Sequence, residues 1–169
     1  MIFVTVGTHE QSFNRLIQKV DELKRDGVIK DDVLMQIGFS TYEPRYCRWQ
    51  KLFPFNEMKE NIRDARIVIT HGGPSSFIMP LQEGKTPIVV PRMAKYHEHV
   101  NDHQLDFALA VNERYKNLIV VENVDNLGEI INNYDNLKKD ISSDTLDNNA
   151  TFNKKFENIV ERLLGDDKR

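Results

Sequence analysis

Residues 71–76, His-Gly-Gly-Pro-Ser-Ser, form the segment of the sequence best suited to hold an anion. The two glycines permit a close approach between backbone and ligand, and Pro74 suits the first turn of a helix. Ser75 and Ser76 place hydroxyl groups beside the unpaired N–H groups of a helix N-terminus. The pattern predicts a helix start that binds a diphosphate, and a helix that stops at Gly84. A strand-to-helix turn without any ligand explains the same local pattern equally well.

A second polar segment, residues 7–11, follows the first apolar run of the chain and precedes a helical pattern. Gly7 and Thr8 are candidates for additional phosphate contacts. His9 and Glu10 are candidates for proton transfer, because both side chains titrate near a usable pH in a suitable environment. A solvated acid in a first helical turn is the simpler interpretation of Glu10.

A third polar cluster, residues 91–104, contains many groups that hydrogen-bond hydroxyls, as sugar recognition requires. Its Arg92 is predicted to neutralise phosphate. The spacing of His97, His99 and His103 also permits a metal site, which is disfavoured because neither a cysteine nor a clear acidic fourth ligand accompanies them. The sequence contains no Asp-x-Asp pair, so helix dipoles and cations, rather than a metal ion, are expected to stabilise a leaving group.

The elements expected to position these segments are short strands and amphipathic helices. Apolar runs rich in β-branched residues predict buried parallel strands at residues 2–6, 33–37, 66–70, 87–90 and 118–121. A helical stripe is formed by Phe13, Leu16, Ile17, Val20 and Leu23. A shorter helix is expected around Met58 and Ile62, with Asn56 as its N-cap. The alternation predicts an α/β fold, a Rossmann-like parallel sheet flanked by helices, with ligand loops at the carboxyl ends of the strands.

Length and composition exclude several classes of protein. The chain has 169 residues, 40% of them hydrophobic and 29% charged, which is typical of one folded domain and not of a disordered segment. The net charge of -3 gives no reason to expect a nucleic-acid partner. Cys47 is the single cysteine, so an internal disulfide is excluded and a reducing compartment, the cytoplasm, is expected. We expect neither a signal peptide nor a membrane span.

Four segments together resemble the C-terminal, donor-binding domain of glycosyltransferase family 28: residues 55–58, 65–73, 84–92 and 101–104. The opening residues 3–8 resemble a narrower group, the catalytic subunits of two-component transferases such as the PssE-type enzymes of bacterial exopolysaccharide and capsule synthesis. The resemblance covers residues 1 to about 125.

The resemblance implies a single GT-B C-terminal-type half-domain that binds a UDP-sugar. It implies the catalytic subunit of an inverting hexosyltransferase that needs no metal or other cofactor and acts on a lipid-linked saccharide acceptor. The missing half would be a membrane-anchored partner subunit that holds the acceptor. The chain is then expected in the cytoplasm, at the inner face of the plasma membrane through that partner.

The resemblance also implies roles for individual residues. Phe55 and Asn56 match positions that contact uracil. The diphosphate loop is matched by His71, Gly72, Gly73, Pro74, Ser75 and Ser76. The pair near the donor sugar is matched by Gln104 and His103. Many members hold the ribose with a glutamate where this chain has Met79, so Glu83 or Glu98 is expected to replace it.

The remaining expectations concern domain limits and alternatives. Residues 1–133 are expected to form the nucleotide-sugar-binding domain, residues 134–150 a polar connector, and residues 151–169 an amphipathic helix. That helix is expected either to dock on the partner or to fold back on its own sheet. A sugar-nucleotide epimerase or hydrolase, and a non-catalytic nucleotide-sugar-binding accessory subunit, are the competing functions. A nicotinamide-binding module is less consistent with the sequence, because the G-x-G-x-x-G fingerprint is absent.

Overall fold

The computed structural model describes residues 1–141. Its core is one sheet of six parallel strands in the order β3-β2-β1-β4-β5-β6. The strands are β1 (Ile2–Thr5), β2 (Val33–Gln36), β3 (Arg48–Gln50), β4 (Ile67–His71), β5 (Ile88–Val90) and β6 (Ile119–Val120). Five of the six lie where apolar runs predict strands, and the predicted Rossmann-like fold class is confirmed.

Helices connect the strands. They are α1 (Asn14–Arg25), α2 (Phe55–Asp64), α3 (Pro74–Gln82), α4 (His103–Tyr115), α5 (Leu127–Asn132) and α6 (Tyr134–Leu137). Short 3₁₀ turns occupy Ala94–Tyr96, Val124–Asn126 and Lys138–Asp140. Pro74 is the first residue of α3, and Gly84, with φ of +69°, follows its C-terminus, so both predicted ends of this helix are confirmed.

The first face of the sheet is covered by α1, α5 and α6. Side chains alternate along β1, so Val4 faces this layer and packs with Leu16 of α1 and Leu127 of α5 in one buried cluster. The predicted stripe of α1 forms most of the contact, with the amphipathic spacing that a helix on a sheet requires.

The second face is covered by α2, α3 and α4. Phe3 of β1 packs with Ile62 of α2, and Val89 of β5 packs with Phe77 of α3 and Ala108 of α4. Strands covered on both faces explain why the runs are apolar throughout.

The order in which strands are added to the sheet reverses at β1, which pairs with β2 on one side and with β4 on the other. The chain first builds outward through β2 and β3, and then returns to start the other half beside β1. The loops after β1 and β4 diverge at this point and leave a crevice at the carboxyl edge, where open α/β sheets bind ligands.

Three expectations differ from the structure. β3 is not predicted, because its side chains are exposed or half-buried at the edge of the sheet. Asn56 is not an N-cap: α2 begins two residues earlier than predicted, at Phe55, and Pro54 is the N-cap residue. Residues 134–137 are helical, and Tyr134 is buried with its hydroxyl donating to the Thr86 carbonyl at 2.8 Å, so the folded unit extends past residue 133.

The rest of the predicted connector beyond residue 141, and the predicted helix at residues 151–169, lie outside the described residues. Within residues 1–141, no helix is both long and apolar enough to cross a bilayer.

Candidate functional site

The imidazole of His71, at the end of β4, lies at the centre of the crevice and is buried. Two glycines make room for it. A Cβ on Gly7 would lie 2.4 Å from His71 Nε2, and one on Gly73 would lie 2.2 Å from Cε1. Gly7 also has φ of +74°, a conformation that favours glycine. The loops after β1 and β4 are therefore both packed closely against one ring.

The hydrogen bonds of His71 fix its tautomer. The Gly73 N–H donates to Nδ1 at 3.0 Å, so Nδ1 carries no proton. Nε2 is then the protonated nitrogen and donates to Ser76 Oγ at 2.7 Å. Burial, and secondly the charge of Arg92, lowers the pKa of His71 to about 4, so the ring is neutral near pH 7. Ser76 accepts from the ring and keeps its own hydroxyl proton for a ligand.

Gln104, at the start of α4, links the glycine loop to Arg92 by hydrogen bonds at the carboxyl edge of the sheet. Its Oε1 accepts from the N–H groups of Gly72 at 3.0 Å and Arg92 at 3.2 Å. A Cβ on Gly72 would lie 2.7 Å from the Gln104 Cβ. Since Gly72 and Gly73 both donate their N–H groups to protein atoms, the loop presents hydroxyls of Ser75 and Ser76, not glycine amides, to an anion.

A cavity of about 300 Å³ opens at the crevice, directly beside His71. The predicted residues that line it are Gly7, Thr8, His9, His71, Ser75 and Ser76. The structure thus brings together the two segments that the sequence identifies as phosphate-binding.

Two polar residues that line this cavity, Thr5 and Gln36, are missed by the sequence analysis. Thr5 Oγ1 accepts from the Gly7 N–H at 3.3 Å and from Gln36 Nε2 at 3.2 Å. These two polar residues end β1 and β2, and a polar residue at the end of an apolar run is the signal that identifies them. Met58, Ile62 and Met79 supply an apolar wall.

The position that resembles the ribose-binding glutamate therefore faces the cavity, but with the thioether of Met79. Glu83, one expected replacement, is not among the residues that line either cavity described here.

A second cavity, of about 600 Å³, lies on the other side of the glycine loop. It is lined by Gly72, Gly73 and Pro74 from the loop, and by His99, His103 and Phe107 from the segment that leads into and forms α4. Gln104 also lines it, so both residues expected near the donor sugar, His103 and Gln104, lie here.

Arg92 does not face either cavity, and the prediction that it neutralises phosphate is wrong. Its side chain is 0% exposed. The guanidinium donates to four backbone carbonyls, those of Val6 at 3.0 Å, Gln11 at 2.8 Å, Ser12 at 3.2 Å and Glu98 at 3.3 Å. Burial lowers the pKa of Arg92 to about 10, which leaves it charged at neutral pH. Its fork of N–H groups holds the loop after β1 in shape.

Glu98 is also engaged inside the protein, so its predicted contact with the ribose is wrong. Its carboxylate accepts two hydrogen bonds of 2.8 Å from the guanidinium of Arg15. One oxygen also accepts from the Met93 N–H at 3.2 Å. With 4% of the residue exposed, the carboxylate is a structural partner of α1.

His9 and Glu10, the predicted proton-transfer pair, are exposed on the loop after β1. The Gln11 N–H donates to His9 Nδ1 at 3.1 Å. The pKa of His9 is lowered by its partial burial and by the charges of Arg92 and His99. The His9 ring lies 5.2 Å from that of His99, so His9 has an imidazole neighbour that the sequence analysis does not pair with it.

Phe55 and Asn56 start α2 but do not line the cavity, although Met58 of the same helix does. Phe55 is 70% exposed, so its ring is open to a ligand or a partner, and the uracil contact remains a prediction. His97, which is exposed, does not converge with His99 and His103. Among residues 1–141, no group of three metal-ligating side chains lies close enough to hold an ion.

Comparison with known proteins gives the family. Residues 1–163 match the model of the glycosyltransferase family 28 C-terminal domain. The chain is 34% identical over 116 residues to the human UDP-N-acetylglucosamine transferase subunit ALG13. This match covers 63% of this chain and 10% of the human protein. The glycosyltransferase SnogD from Streptomyces nogalater has 20% identity and a TM-score of 0.42, over 53% of this chain and 25% of that one. On the match of residues 1–163, the protein belongs to the glycosyltransferase family 28 C-terminal domain family.

Proposed function

We propose that this protein is the sugar-donor-binding, catalytic subunit of an inverting glycosyltransferase. It moves a hexose from a UDP-sugar to a lipid-linked saccharide during exopolysaccharide or capsule synthesis. The observation that carries the proposal is the neutral His71–Ser76 pair, which leaves the hydroxyl proton of Ser76 free beside a cavity at the switch point of the sheet. Family membership and the transferase name of the human relative support the same chemistry.

The diphosphate occupies the N-terminus of α3. The helix dipole and the hydroxyls of Ser75 and Ser76 favour an anion there. A helix terminus stabilises an anion by only ~0.3–2 kcal/mol, whereas micromolar binding requires about 8 kcal/mol. Neither of the two cavities has lysine or arginine among its lining residues. Contacts with the nucleoside and sugar, together with positive charge from a partner, supply the remainder.

The two cavities on either side of the glycine loop suit the two ends of the donor. The apolar wall of Met58, Ile62 and Met79 suits the nucleoside. The larger cavity, with His103 and Gln104, suits the hexose. An acceptor hydroxyl then attacks the anomeric carbon from the side opposite the diphosphate, a new C–O bond forms, and UDP leaves with the electron pair of the broken bond.

A membrane-anchored partner subunit would hold the lipid-linked acceptor. The chain spans about a tenth of the length of its curated relative, which is itself named as a subunit. The described residues form one domain with its site open at the edge, whereas the GT-B fold binds its substrates between two domains. Docking of residues 151–169 on that partner remains part of the proposal, as does a location at the inner face of the membrane.

Calorimetric titration of the full chain tests donor binding. UDP, UDP-galactose and UDP-N-acetylglucosamine are compared with NAD, and Ser76→Ala is compared with Tyr46→Phe. Both variants lose one hydroxyl, but Tyr46 lies on the loop between β2 and β3, away from the cavity. We expect UDP to bind and NAD not to. Ser76→Ala should weaken UDP roughly tenfold, the value of one hydrogen bond to a charged group, and Tyr46→Phe should leave it unchanged.

The proposal fails if UDP does not bind, both for the isolated chain and for the chain in membranes that contain its partner. Equal affinities of the Ser76→Ala and Tyr46→Phe variants would place the diphosphate elsewhere.

A non-catalytic nucleotide-sugar-binding subunit is the second candidate. It is favoured by the absence of a free carboxylate where one is expected, since Met79 replaces one glutamate and Glu98 is paired with Arg15. Turnover of a UDP-sugar by the reconstituted complex distinguishes the two candidates. If substitutions in this chain abolish turnover while UDP still binds, this chain is the catalytic subunit.

A further inference from the structure

Two histidines from different loops meet at the border of the two cavities. His9, after β1, lines the smaller cavity, and His99, before α4, lines the larger one. Their ring centroids are 5.2 Å apart and their planes are inclined by 42°. Ligand groups held on either side of the glycine loop would therefore have an imidazole within reach.

The hydrogen bonds of His99 identify its basic nitrogen. Nδ1 lies 3.1 Å from Asn101 Oδ1. The backbone N–H of His103 also points at Asn101 Oδ1, at 3.3 Å. A backbone N–H can only donate, so this Asn101 atom is an acceptor, and Nδ1 must carry the proton that it shares with it. The Asn101 N–H also points at Nδ1, at 3.4 Å, but this contact is longer than the 3.1 Å contact between Nδ1 and Oδ1, which therefore decides the tautomer. The lone pair of His99 is therefore on Nε2.

His9 has the opposite tautomer. Its Nδ1 accepts from the Gln11 N–H at 3.1 Å, so in the neutral ring Nε2 carries the proton. His9 is neutral near pH 7, because burial and the charge of Arg92 lower its pKa. The two rings thus offer one hydrogen-bond acceptor, on His99, and one donor, on His9.

We infer that His99, and not His9, is the base of the transfer reaction, an inference that rests on the proposed function. His99 Nε2 takes the proton of the acceptor hydroxyl as its oxygen bonds to the anomeric carbon. The bond between that carbon and the diphosphate oxygen breaks, and its electron pair leaves with UDP. His9 Nε2–H donates to an oxygen of the departing diphosphate and keeps its proton.

Other nearby groups are less suited to accept the proton. Both carboxylate oxygens of Glu98 bind Arg15, and His71 uses both ring nitrogens within the protein. Glu10 is exposed and is absent from the lining of both cavities.

The tautomers are measured directly in the full chain labelled with ¹⁵N-histidine. Two-bond ¹H–¹⁵N spectra at neutral pH distinguish a protonated from an unprotonated ring nitrogen, and the variants His9→Asn and His99→Asn assign the signals. We expect the Nδ1–H form at His99 and the Nε2–H form at His9. Asn101→Ala should shift His99 towards the Nε2–H form. An Nε2–H tautomer at His99 in the unaltered chain overturns the inference.

Transfer kinetics of the chain with its partner membranes give the second test. His99→Asn should lower kcat by about 10²–10⁴-fold, the contribution of a general base, with little change in UDP affinity. His9→Asn should lower kcat less. His97→Asn is the matched control, since His97 is exposed and lies in the left-handed region, with φ of 57°, which asparagine tolerates.

The outcomes separate the two levels of the proposal. If His99→Asn binds UDP and keeps its kcat, or if His9→Asn alone abolishes turnover, the assignment of His99 is wrong and the proposed function stands. If the unaltered chain neither binds UDP nor supports transfer, the proposed function fails and the role of His99 fails with it.

Discussion

Two networks of charged residues lie at opposite ends of the same sheet. At the amino ends of the strands, Arg66 pairs with Asp31 at 2.7 Å and with Asp135 at 3.2 Å, and its side chain is 41% exposed. At the carboxyl ends, Arg92 is 0% exposed, and the side chains of the neighbouring pair, Arg15 and Glu98, are 14% and 5% exposed.

The two networks differ in what they hold in place more than in how much they stabilise the fold. Exposed ion pairs are screened by water and contribute about 0–1 kcal/mol. Buried ones contribute little net stability, because desolvation offsets the attraction, yet removal of one partner is costly. The buried network binds the backbone carbonyls of the loop after β1, which carries His9. The buried charge therefore shapes the candidate site, whereas the exposed pairs of Arg66 add little to stability.

Removal of the buried guanidinium should have the largest effect. Arg92→Met leaves four carbonyls without their donor, and the free energy of unfolding should fall by roughly 3–5 kcal/mol. Urea titration measures it. Arg92→Lys keeps the charge but lacks the fork of donors, so it should recover only part of the loss. If the methionine variant lost less than about 1 kcal/mol of unfolding free energy, the range of an exposed ion pair, the buried and the exposed network would contribute alike to stability.

A lower pH should destabilise the protein through His71, the neutral imidazole next to Arg92. The pKa of His71 is about 4 in the folded protein, against 6.5 for an ordinary histidine. Below pH 6.5 the unfolded chain therefore binds a proton that the folded chain does not, and stability falls as the pH drops. The loss approaches about 3 kcal/mol near pH 4.

The check compares urea unfolding of the unaltered protein and of His71→Asn across this range. Carboxylate titration is common to both proteins, so the variant should have the shallower dependence on pH. Parallel curves would mean that His71 is protonated in the folded state.

A methyl group in the glycine loop should have the next largest effect. In Gly73→Ala the new Cβ meets the His71 ring at 2.2 Å, so the ring must move and its bond to Ser76 is lost. Overpacking of this kind costs ~1–3 kcal/mol, and UDP affinity should fall with it. Gly84→Ala is the control, because Gly84 has φ of +69° and open space. That variant should lose stability through backbone strain and keep its affinity for UDP.

Removal of the exposed guanidinium should have the smallest effect. Arg66→Ala should lower the free energy of unfolding by less than about 1 kcal/mol, and the difference should shrink in about 1 M salt. A larger, salt-insensitive loss would show that the network at the amino ends is not screened by solvent, and would contradict the comparison.

The fold was largely predictable because burial on both faces imposes a composition. Strands such as β1 and β4 must be apolar along their whole length, and the helices between them must have an apolar stripe that faces the sheet. The edge strand β3 lacks that constraint on its open side, where Arg48 and Gln50 are exposed, so nothing in its composition identifies it.

The site was predictable only where the backbone itself is constrained. The sequence predicts close approach of a ligand to Gly72 and Gly73, and the groups that closely approach these glycines in the structure are Gln104 and His71. The orientation of charged side chains was not predictable. Arg92 and Glu98 have the residue types of a phosphate and a ribose ligand, but the structure directs one to carbonyls and the other to a guanidinium. Sequence specifies the type of a charge and leaves its partner to the tertiary structure.

The dependence of the loop after β1 on Arg92 has a consequence for the order of events during synthesis. Arg92 follows Val6, whose carbonyl it binds, by 86 positions. A nascent chain that ends before residue 92 can contain β1, β4 and the glycine loop, but the backbone around His9 still lacks the group that fixes its shape. Contacts of such long sequence separation form late, after the intervening chain has been ordered. The loop that carries His9 therefore takes its final shape only once β5 has joined the sheet and Arg92 has reached the Val6 carbonyl.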